Sequence, residues 1–223
     1  MSSSEKKSQD WDAWRIFRIL SEFVDGFGTM TELGPSVAIF GASQMKVGDK
    51  YYEQAAVLAS KIAQKGFGII TGGGPGIMEA ANQGAKAAGG NSCGLCIDLP
   101  TEEQPNPFID PKFLLKFRYF FIRKVMFVRY AQAFVVLPGG LGTLDELFEA
   151  LTLIKTKKIA RFPVFLVGAS YWNDMVKWLT TAPLSNGYID QEDLKLFTIT
   201  DNLDEVVDKI AFHCNLTHCL ENF

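Results

Sequence analysis

The sequence predicts an α/β fold, namely a Rossmann-like doubly wound parallel sheet with helices on both faces, extended at its N-terminus by a helix. After residue 35, short and strongly apolar runs alternate with segments of helix length, and three of these runs end in glycine-rich turns. Strands this apolar are typical of parallel sheets covered on both faces. Ligands of such sheets bind beyond the carboxyl ends of the strands, so we expect the binding site at these turns.

The N-terminal helix is predicted over residues 11–27. Its apolar positions recur at intervals of three and four, which places Trp11, Trp14, Phe17, Leu20, Val24 and Phe27 on one stripe. Two interpretations of the stripe stay open: it packs inside its own chain, or it covers a contact between subunits. We therefore divide the chain into a polar tail with this helix over residues 1–34 and one Rossmann-like domain over residues 35–223.

The remaining elements follow from the change between apolar runs and helical periodicity. Strands are predicted at residues 37–40, 67–70, 92–97, 113–117, 133–137, 163–167 and 197–199, and helices at 51–64, 76–88, 119–130, 143–155, 172–180 and 203–214. A loop marked by prolines separates the third strand from the fourth.

Composition excludes several classes of protein. The formal net charge of −3 gives no basic footprint for nucleic acid. The polar and charged start does not resemble a secretory leader, and no apolar run reaches the roughly 18 residues of a membrane span. We expect a soluble, cytoplasmic protein that binds neither nucleic acid nor a membrane.

Four cysteines in a chain of 223 residues do not resemble a disulfide framework, so reduced thiols are expected. Cys93 and Cys96 form a C-x-x-C pair, and a C-terminal cluster invites a zinc interpretation. That cluster comprises His213, Cys214, His218 and Cys219. Because the C-x-x-C pair falls in a predicted buried strand and the C-terminal spacing matches no established ligand pattern, we predict no metal site.

Three predicted strand ends carry glycine-rich turns, at residues 41–43, 71–76 and 138–143. Residues 72–79 match residues 138–145 without gaps, sharing glycine at the second, third and fifth positions and an acid at the eighth. Bare peptide groups before a helix suit a phosphate. The candidate ligand-binding residues are Gly41, Ser43, Gly73, Gly74, Gly76, Glu79, Pro138, Gly139, Gly140, Gly142 and Thr143.

An alternative is that these glycines only let helix and strand pack tightly. Neither long turn closes with Gly-Lys-Ser/Thr as a P-loop does, and the spacing does not reproduce the G-x-G-x-x-G dinucleotide fingerprint.

The third turn runs into Thr143-Leu144-Asp145-Glu146, which also fits a capping box. In that interpretation Thr143 caps the helix and Glu146 bonds back to it, with no role in chemistry. Upstream, the segment 117–130 carries Arg118, Arg123, Lys124 and Arg129 among aromatic residues. Arg123 and Lys124 are adjacent and cannot share a helix face, so we expect one in the cleft and the other at its rim or in solvent. The alternative is that the four basic residues form a solvated basic face.

Together these residues resemble the LOG (Lonely Guy) family of cytokinin riboside 5′-monophosphate phosphoribohydrolases, formerly labelled lysine decarboxylase-like. Pro138 to Glu146 match the family motif P-G-G-x-G-T-x-x-E, and Arg123-Lys124 match its upstream Arg-Lys pair. The turn after the first strand and the T-G-G-G-x-G-I-M-E segment are also similar, so the resemblance covers roughly Ser36 to Ile210.

The resemblance implies a homodimer or larger assembly, no cofactor, and hydrolysis of a nucleoside 5′-monophosphate to free base and ribose 5-phosphate. It makes Arg123 and Glu146 the catalytic pair, with Lys124 beside them, and places phosphate on the Gly139 to Thr143 loop. It also gives a glutamate in the preceding loop a role near the base, for which Glu102 matches best and Glu103 is the alternative.

The N-terminal extension departs from the short plant chains, and the loop 102–111 and the aromatic stretch 117–121 look closer to bacterial relatives. The base is therefore not specified by the resemblance. Two rival functions remain: a lysine decarboxylase, which would need pyridoxal phosphate on a lysine such as Lys124, and a carrier of nucleotide or molybdenum cofactor that performs no catalysis.

Overall fold

A computed structural model of the chain describes residues 3–98 and 104–217, with side chains from Trp14 onward. The proposed Glu102, its alternative Glu103, and two members of the C-terminal cluster, His218 and Cys219, lie outside the described residues. The strands are β1 Ser36–Phe40, β2 Gly68–Thr71, β3 Ser92–Ile97, β4 Leu114–Phe117, β5 Ala131–Val136, β6 Val164–Val167 and β7 Thr198–Thr200. The helices are α1 Ser3–Thr31, α2 Lys50–Gln64, α3 Ile77–Ala87, α4 Phe120–Tyr130, α5 Leu141–Lys155, α6 Ala169–Leu179 and α7 Leu203–Thr217. Short single turns occur at Pro111–Phe113, Thr180–Leu184 and Asp193–Lys195.

The seven strands form one sheet in the order β4-β3-β2-β1-β5-β6-β7, and every neighbouring pair is parallel. Strand order runs outward in one direction from β1 to β4 and in the other from β5 to β7. This is the doubly wound arrangement that the sequence predicts, and its reversal point lies between β1 and β5. The predicted strands and helices are confirmed, with boundaries displaced by a few residues.

Two apolar cores lie on opposite faces of the sheet, because successive side chains of a strand point to opposite sides. In β1, Ala38 and Phe40 join the core beneath α4 and α5, whereas Val37 and Ile39 join the core beneath α2, α3 and α7. The strands of the sheet centre are therefore buried on both faces, which explains their continuous apolar runs.

The N-terminal helix is longer than predicted, and only part of its apolar surface faces the domain. Ile19, Phe23 and Phe27 pack against the core and Met30 is fully buried in it. Most of the predicted stripe faces away from the domain, since Trp14, Phe17, Leu20 and Val24 are all exposed. For these four residues the intrachain interpretation is wrong, because the helix packs on the domain through its opposite face.

Cys93 is buried and Cys96 is partly buried, and both are free thiols on β3. Cys214 is disulfide-bonded, so the expectation of reduced thiols throughout is wrong at that position. A count of cysteines shows that a dense disulfide framework is absent, but it does not exclude one pair.

The described part of the chain contains no group of three or more His, Cys, Asp or Glu side chains placed to hold a metal ion. Within residues 3–98 and 104–217, none of the helices combines the length and the apolar character that a membrane crossing requires.

Candidate active site

The three glycine-rich turns meet at the carboxyl edge of the sheet. They follow β2, β1 and β5, which are neighbours in that order. The Ala42 N–H of the first turn donates to the Pro138 carbonyl at 2.9 Å, and the Ile77 N–H at the start of α3 donates to the Ala42 carbonyl at 3.1 Å. The predicted convergence of the turns is confirmed, and it lies at the reversal of strand order.

In the turn after β2, other atoms of the chain lie close around the glycines. Gly73 and Gly76 have positive φ values of 75° and 69°, a conformation that glycine adopts without strain. A Cβ atom on Gly76 would lie 2.4 Å from the Ala42 carbonyl oxygen, and one on Gly73 would lie 2.3 Å from Cys96 Sγ. The tight-packing explanation is therefore sufficient for these two glycines, although it does not exclude a ligand.

A buried amide network, which sequence reasoning missed, fixes the same turn. The Asn106 N–H donates to the Gly73 carbonyl at 2.9 Å, and Asn106 Nδ2 donates to the Gly74 carbonyl at 3.1 Å and to Asn82 Oδ1 at 2.9 Å. Thr71 Oγ1 also donates to Asn82 Oδ1, at 2.6 Å. The signal in the sequence was Asn82 among small apolar residues on the inner face of α3, since a buried amide requires partners.

The turn after β5 has a different construction. A Cβ atom on Gly139 would lie 2.2 Å from Thr143 Oγ1, so this glycine is also required by packing. At Gly140 and Gly142, however, a Cβ atom would meet nothing within 4 Å, and neither residue has positive φ. Between them Leu141 is 86% exposed. Neither packing nor backbone conformation requires these two glycines, so what they provide is open backbone at the N-cap and in the first turn of α5.

The capping-box interpretation of Thr143 and Glu146 is wrong. Helix α5 begins at Leu141, with Gly140 as its N-cap, so Thr143 already lies inside the helix and its N–H donates to the Gly140 carbonyl at 3.0 Å. Glu146 is one turn too far along to reach back to the cap. Its side chain is buried, and neither carboxylate oxygen has a hydrogen-bond partner. A buried carboxylate without such partners is unusual and points to a functional role.

Arg123 of α4 faces this carboxylate. Its Nη2 atom lies 3.7 Å from Glu146 Oε1, and the two side chains are only 14% and 5% exposed. The guanidinium carbon lies 5.0 Å from the centre of the Phe120 ring, and Nη1 lies 3.9 Å from the position of a Cβ atom on Gly72. Arg123 thus lies between the second glycine turn and the start of α5, in the same environment as Glu146.

Lys124 contradicts the expectation that one member of the basic pair goes to the rim or to solvent. Its Nζ atom lies 4.0 Å from Glu146 Oε2, and its hydrogen-bonding partners are Asp145 at 2.8 Å and Glu149 at 2.7 Å. Adjacent residues do leave a helix in different directions, but both side chains are long enough to converge on α5. The two cations consequently approach opposite oxygens of one carboxylate.

Burial dominates the electrostatics of this group. It raises the pKa of the Glu146 carboxyl to about 7, against the lowering effects of Lys124 and Arg123. Burial also lowers the pKa of Arg123, opposed chiefly by Glu146. For Lys124, burial is outweighed by the hydrogen bonds to Asp145 and Glu149, so its pKa is raised. A carboxyl that titrates near neutral pH beside a fixed guanidinium is suited to exchange a proton or to stabilise positive charge.

The other predicted residues are distributed around this pair. Gly41 packs against Ile77, and Ser43 contacts Gly76, so both support the convergence of the turns. Glu79 lies in the first turn of α3 and acts electrostatically on Tyr52 of α2. Two clefts of about 590 and 320 Å³ lie between α1 and the β4–α4 connection, and neither is lined by Arg123, Glu146 or the turn after β5.

The chain is similar in sequence to a family model and to named enzymes. Residues 78–210 match a family model described as possible lysine decarboxylase. A cytokinin riboside 5′-monophosphate phosphoribohydrolase of Mycobacterium tuberculosis is 29% identical over 163 residues, covering 71% of this chain and 84% of that protein. The enzyme of the same name called LOG7 in Arabidopsis thaliana is 26% identical over 178 residues, covering 78% and 80%.

Solved structures share the fold. A molybdenum cofactor binding protein of Rippkaea orientalis has a TM-score of 0.58 at 25% identity, covering 78% of this chain and 94% of that chain. A molybdenum cofactor carrier protein of Chlamydomonas reinhardtii has a TM-score of 0.59 at 21% identity, covering 81% and 99%.

The family model covers more than half of the chain and includes the α4 and α5 residues that face each other. The relatives carry one consistent enzymatic name, that of the family indicated by the Arg-Lys pair and the glycine motif. The chain belongs to the LOG family, whose sequence model carries the older description of a possible lysine decarboxylase.

Proposed function

We propose that this chain hydrolyses the N-glycosidic bond of a purine nucleoside 5′-monophosphate, of the AMP or cytokinin riboside type, to free base and ribose 5-phosphate. The observation that carries the proposal is the buried Arg123–Glu146 pair at 3.7 Å, with a carboxylate that has no hydrogen-bond partner and no role in capping its helix. The names of the relatives support the same reaction.

The turn after β5 is the proposed phosphate cradle. Gly140 and Gly142 leave backbone open where α5 begins, and the first N–H groups of a helix lack partners within it. With the partial positive charge of the helix N-terminus, these groups favour an anion. Glu146 lies on the same helix, so a phosphate held there fixes the distance from the sugar to the carboxylate.

The reaction passes through a state with positive charge on the sugar ring near C1′. The C1′–N bond breaks, its electron pair leaves with the base, and water forms the new C1′–O bond. The Glu146 carboxylate stabilises the developing charge and takes a proton from the water. Arg123 orients the nucleotide and donates a hydrogen bond to the departing base, whose nitrogen then takes up a proton from solvent, while Glu146 returns the proton of the attacking water to solvent. Lys124 interacts with Glu146 from the other side and favours its ionised form.

The test is a product assay with purified protein. Incubation with AMP should release adenine and ribose 5-phosphate, and Glu146→Gln should lower the rate by at least about a hundredfold. Glu149→Gln is the matched control, because it removes a carboxylate from the same helix and the same lysine without touching the group that faces Arg123. The proposal fails if wild-type protein releases no base from AMP or from N6-substituted relatives, or if Glu146→Gln hydrolyses them at the wild-type rate.

A second candidate function is a carrier without catalysis, favoured by the fold shared with molybdenum cofactor binding and carrier proteins. A carrier has no need for the Arg123–Glu146 pair. Tight binding of a phosphorylated ligand with no base released would support this alternative.

The lysine decarboxylase is tested separately, by an absorbance scan of the purified protein for bound pyridoxal phosphate.

A further inference from the structure

One face of α1 is an exposed seam. Trp14, Phe17, Ser21, Val24 and Gly28 recur at intervals of three, four, three and four, and all five are exposed. The Trp14 and Phe17 ring centres are 6.1 Å apart, so the apolar part of the seam is continuous. This spacing is the heptad pattern of a helix that packs along another helix. The opposite face of α1 already packs on the domain through Ile19, Phe23 and Met30.

Large and small residues alternate along the seam. This alternation fits the seam of a second copy of the chain whose helix runs in the opposite direction. In an antiparallel pair centred between Glu22 and Phe23, Phe17 lies opposite Gly28 of the second copy and Val24 lies opposite its Ser21. At Gly28 an added Cβ atom would meet nothing within 4 Å, so the surface there is open to a bulky side chain from outside. Large residues facing small ones let two helices approach closely.

The charges beside the seam select the same orientation. Arg18 and Asp25 are one heptad apart and flank the seam on the same side. In the antiparallel pair, Arg18 of each copy faces Asp25 of the other, which gives two equivalent ion pairs. A parallel pair would not bring these charges together. On the other flank, Leu20 lies near Phe27 of the second copy and adds apolar contact.

We infer that the exposed face of α1 binds the same face of a second copy of this chain, forming an antiparallel, two-fold symmetric helix pair. Such a contact is self-complementary, as a two-fold interface must be. It also reaches towards the proposed active site, because α1 holds the start of α4. The Glu22 carboxylate accepts hydrogen bonds from the Arg118 and Tyr119 N–H groups, and the Phe23 and Phe121 rings are 6.5 Å apart.

Sedimentation velocity across a concentration series tests the contact. Val24→Glu should halve the mass of the assembly or raise the dissociation constant of self-association by about tenfold or more, since it places a charge in the seam. Phe212→Glu is the matched control, because Phe212 of α7 is 66% exposed and Val24 is 70% exposed. It should leave the mass unchanged. The inference is wrong if wild-type protein sediments as a monomer throughout the series, or if the two variants behave alike.

Charge exchange tests the orientation. Arg18→Glu and Asp25→Arg should each weaken self-association, because each creates two like-charge contacts, and the double variant should restore it towards the wild-type value. Additive loss in the double variant would exclude the antiparallel pairing. A third outcome would also overturn the inference. If Val24→Glu self-associates normally but no longer binds an unrelated protein or lipid vesicles, the seam belongs to that other partner.

Discussion

The turns after β2 and β5 have similar sequences and different uses. Both place glycine at the second, third and fifth positions of the matched segment, and both lead into a helix with an acid at the eighth. After β2, the fifth glycine is Gly76, which has positive φ and no room for a Cβ atom. After β5 it is Gly142, which has no positive φ and open space around it. The two turns thus share a sequence pattern but not a backbone conformation, and their surroundings make one a packed joint and the other an open surface.

The helices that follow differ in the same way. The acid at the eighth position in α3, Glu79, acts on Tyr52. Its counterpart in α5, Asp145, binds Lys124 at 2.8 Å, and the next residue, Glu146, faces Arg123. The buried amide network also belongs to the turn after β2, where Asn106 donates to two carbonyl groups. The β2 turn therefore supports the fold, and the β5 turn is the one left available for a ligand.

Gly76→Ala should have the largest effect and should act on stability. The Cβ atom would lie 2.4 Å from the Ala42 carbonyl oxygen at a φ of 69°, so backbone must move and strain is added. We expect a loss of more than about 3 kcal/mol in the free energy of unfolding, measured by urea denaturation. A loss below about 1 kcal/mol would show that the β2 turn is not the rigid joint described above.

The pH dependence of stability should reveal the cost of ionising Glu146. Its pKa is raised from 4.5 to about 7 by burial, so the folded chain holds a proton that the unfolded chain releases between these values. Its contribution is fully present below pH 4.5 and is lost as pH rises to about 7, by up to about 3 kcal/mol. Urea unfolding of Glu146→Gln and wild-type protein should agree at pH 4.5, and the variant should be more stable at pH 8. Equal stability at both pH values would mean that the carboxyl is not perturbed.

Gly142→Ala is the counterpart of Gly76→Ala and should act on function alone. The Cβ atom meets no atom of the chain, and alanine favours a helix, so the free energy of unfolding should stay the same or rise slightly. If the open backbone holds the substrate phosphate, KM for AMP should increase about tenfold, equivalent to about 1.4 kcal/mol. Unchanged KM and kcat would remove the phosphate from this turn.

Lys124→Met should have the smallest effect, a displacement of the pH profile. The lysine favours the ionised form of Glu146 from 4.0 Å, and its loss leaves Asp145 and Glu149 as nearby like charges. The rise of kcat/KM with pH should move to higher pH by about one unit, with kcat recovered at alkaline pH. A uniform loss of activity with no displacement would instead assign Lys124 to direct contact with substrate.

Much of this arrangement could be predicted from residue order. The apolar runs specified the central strands β1, β2, β5 and β6, because a strand buried on both faces must be apolar throughout, and the glycine turns indicated the edge of the sheet that carries the site. The capping box was a reasonable local interpretation of Thr143 and Glu146, yet the helix starts earlier, at Leu141. The outward direction of Trp14, Phe17 and Val24 was also not predictable, because periodicity identifies a stripe without saying what it faces.

The sequence by itself determined the fold class, the family and the identity of the paired cation and carboxylate, since these depend on local pattern and on motifs that are continuous in the chain. Only the tertiary structure decided which glycines are filled by neighbouring atoms, that Lys124 joins Arg123 at one carboxylate, and that this carboxylate is buried without a hydrogen bond. These properties depend on distances between segments that are remote in sequence and on the exclusion of water between them. Residue order does not encode either quantity locally, and both set the pKa and the chemistry of the site.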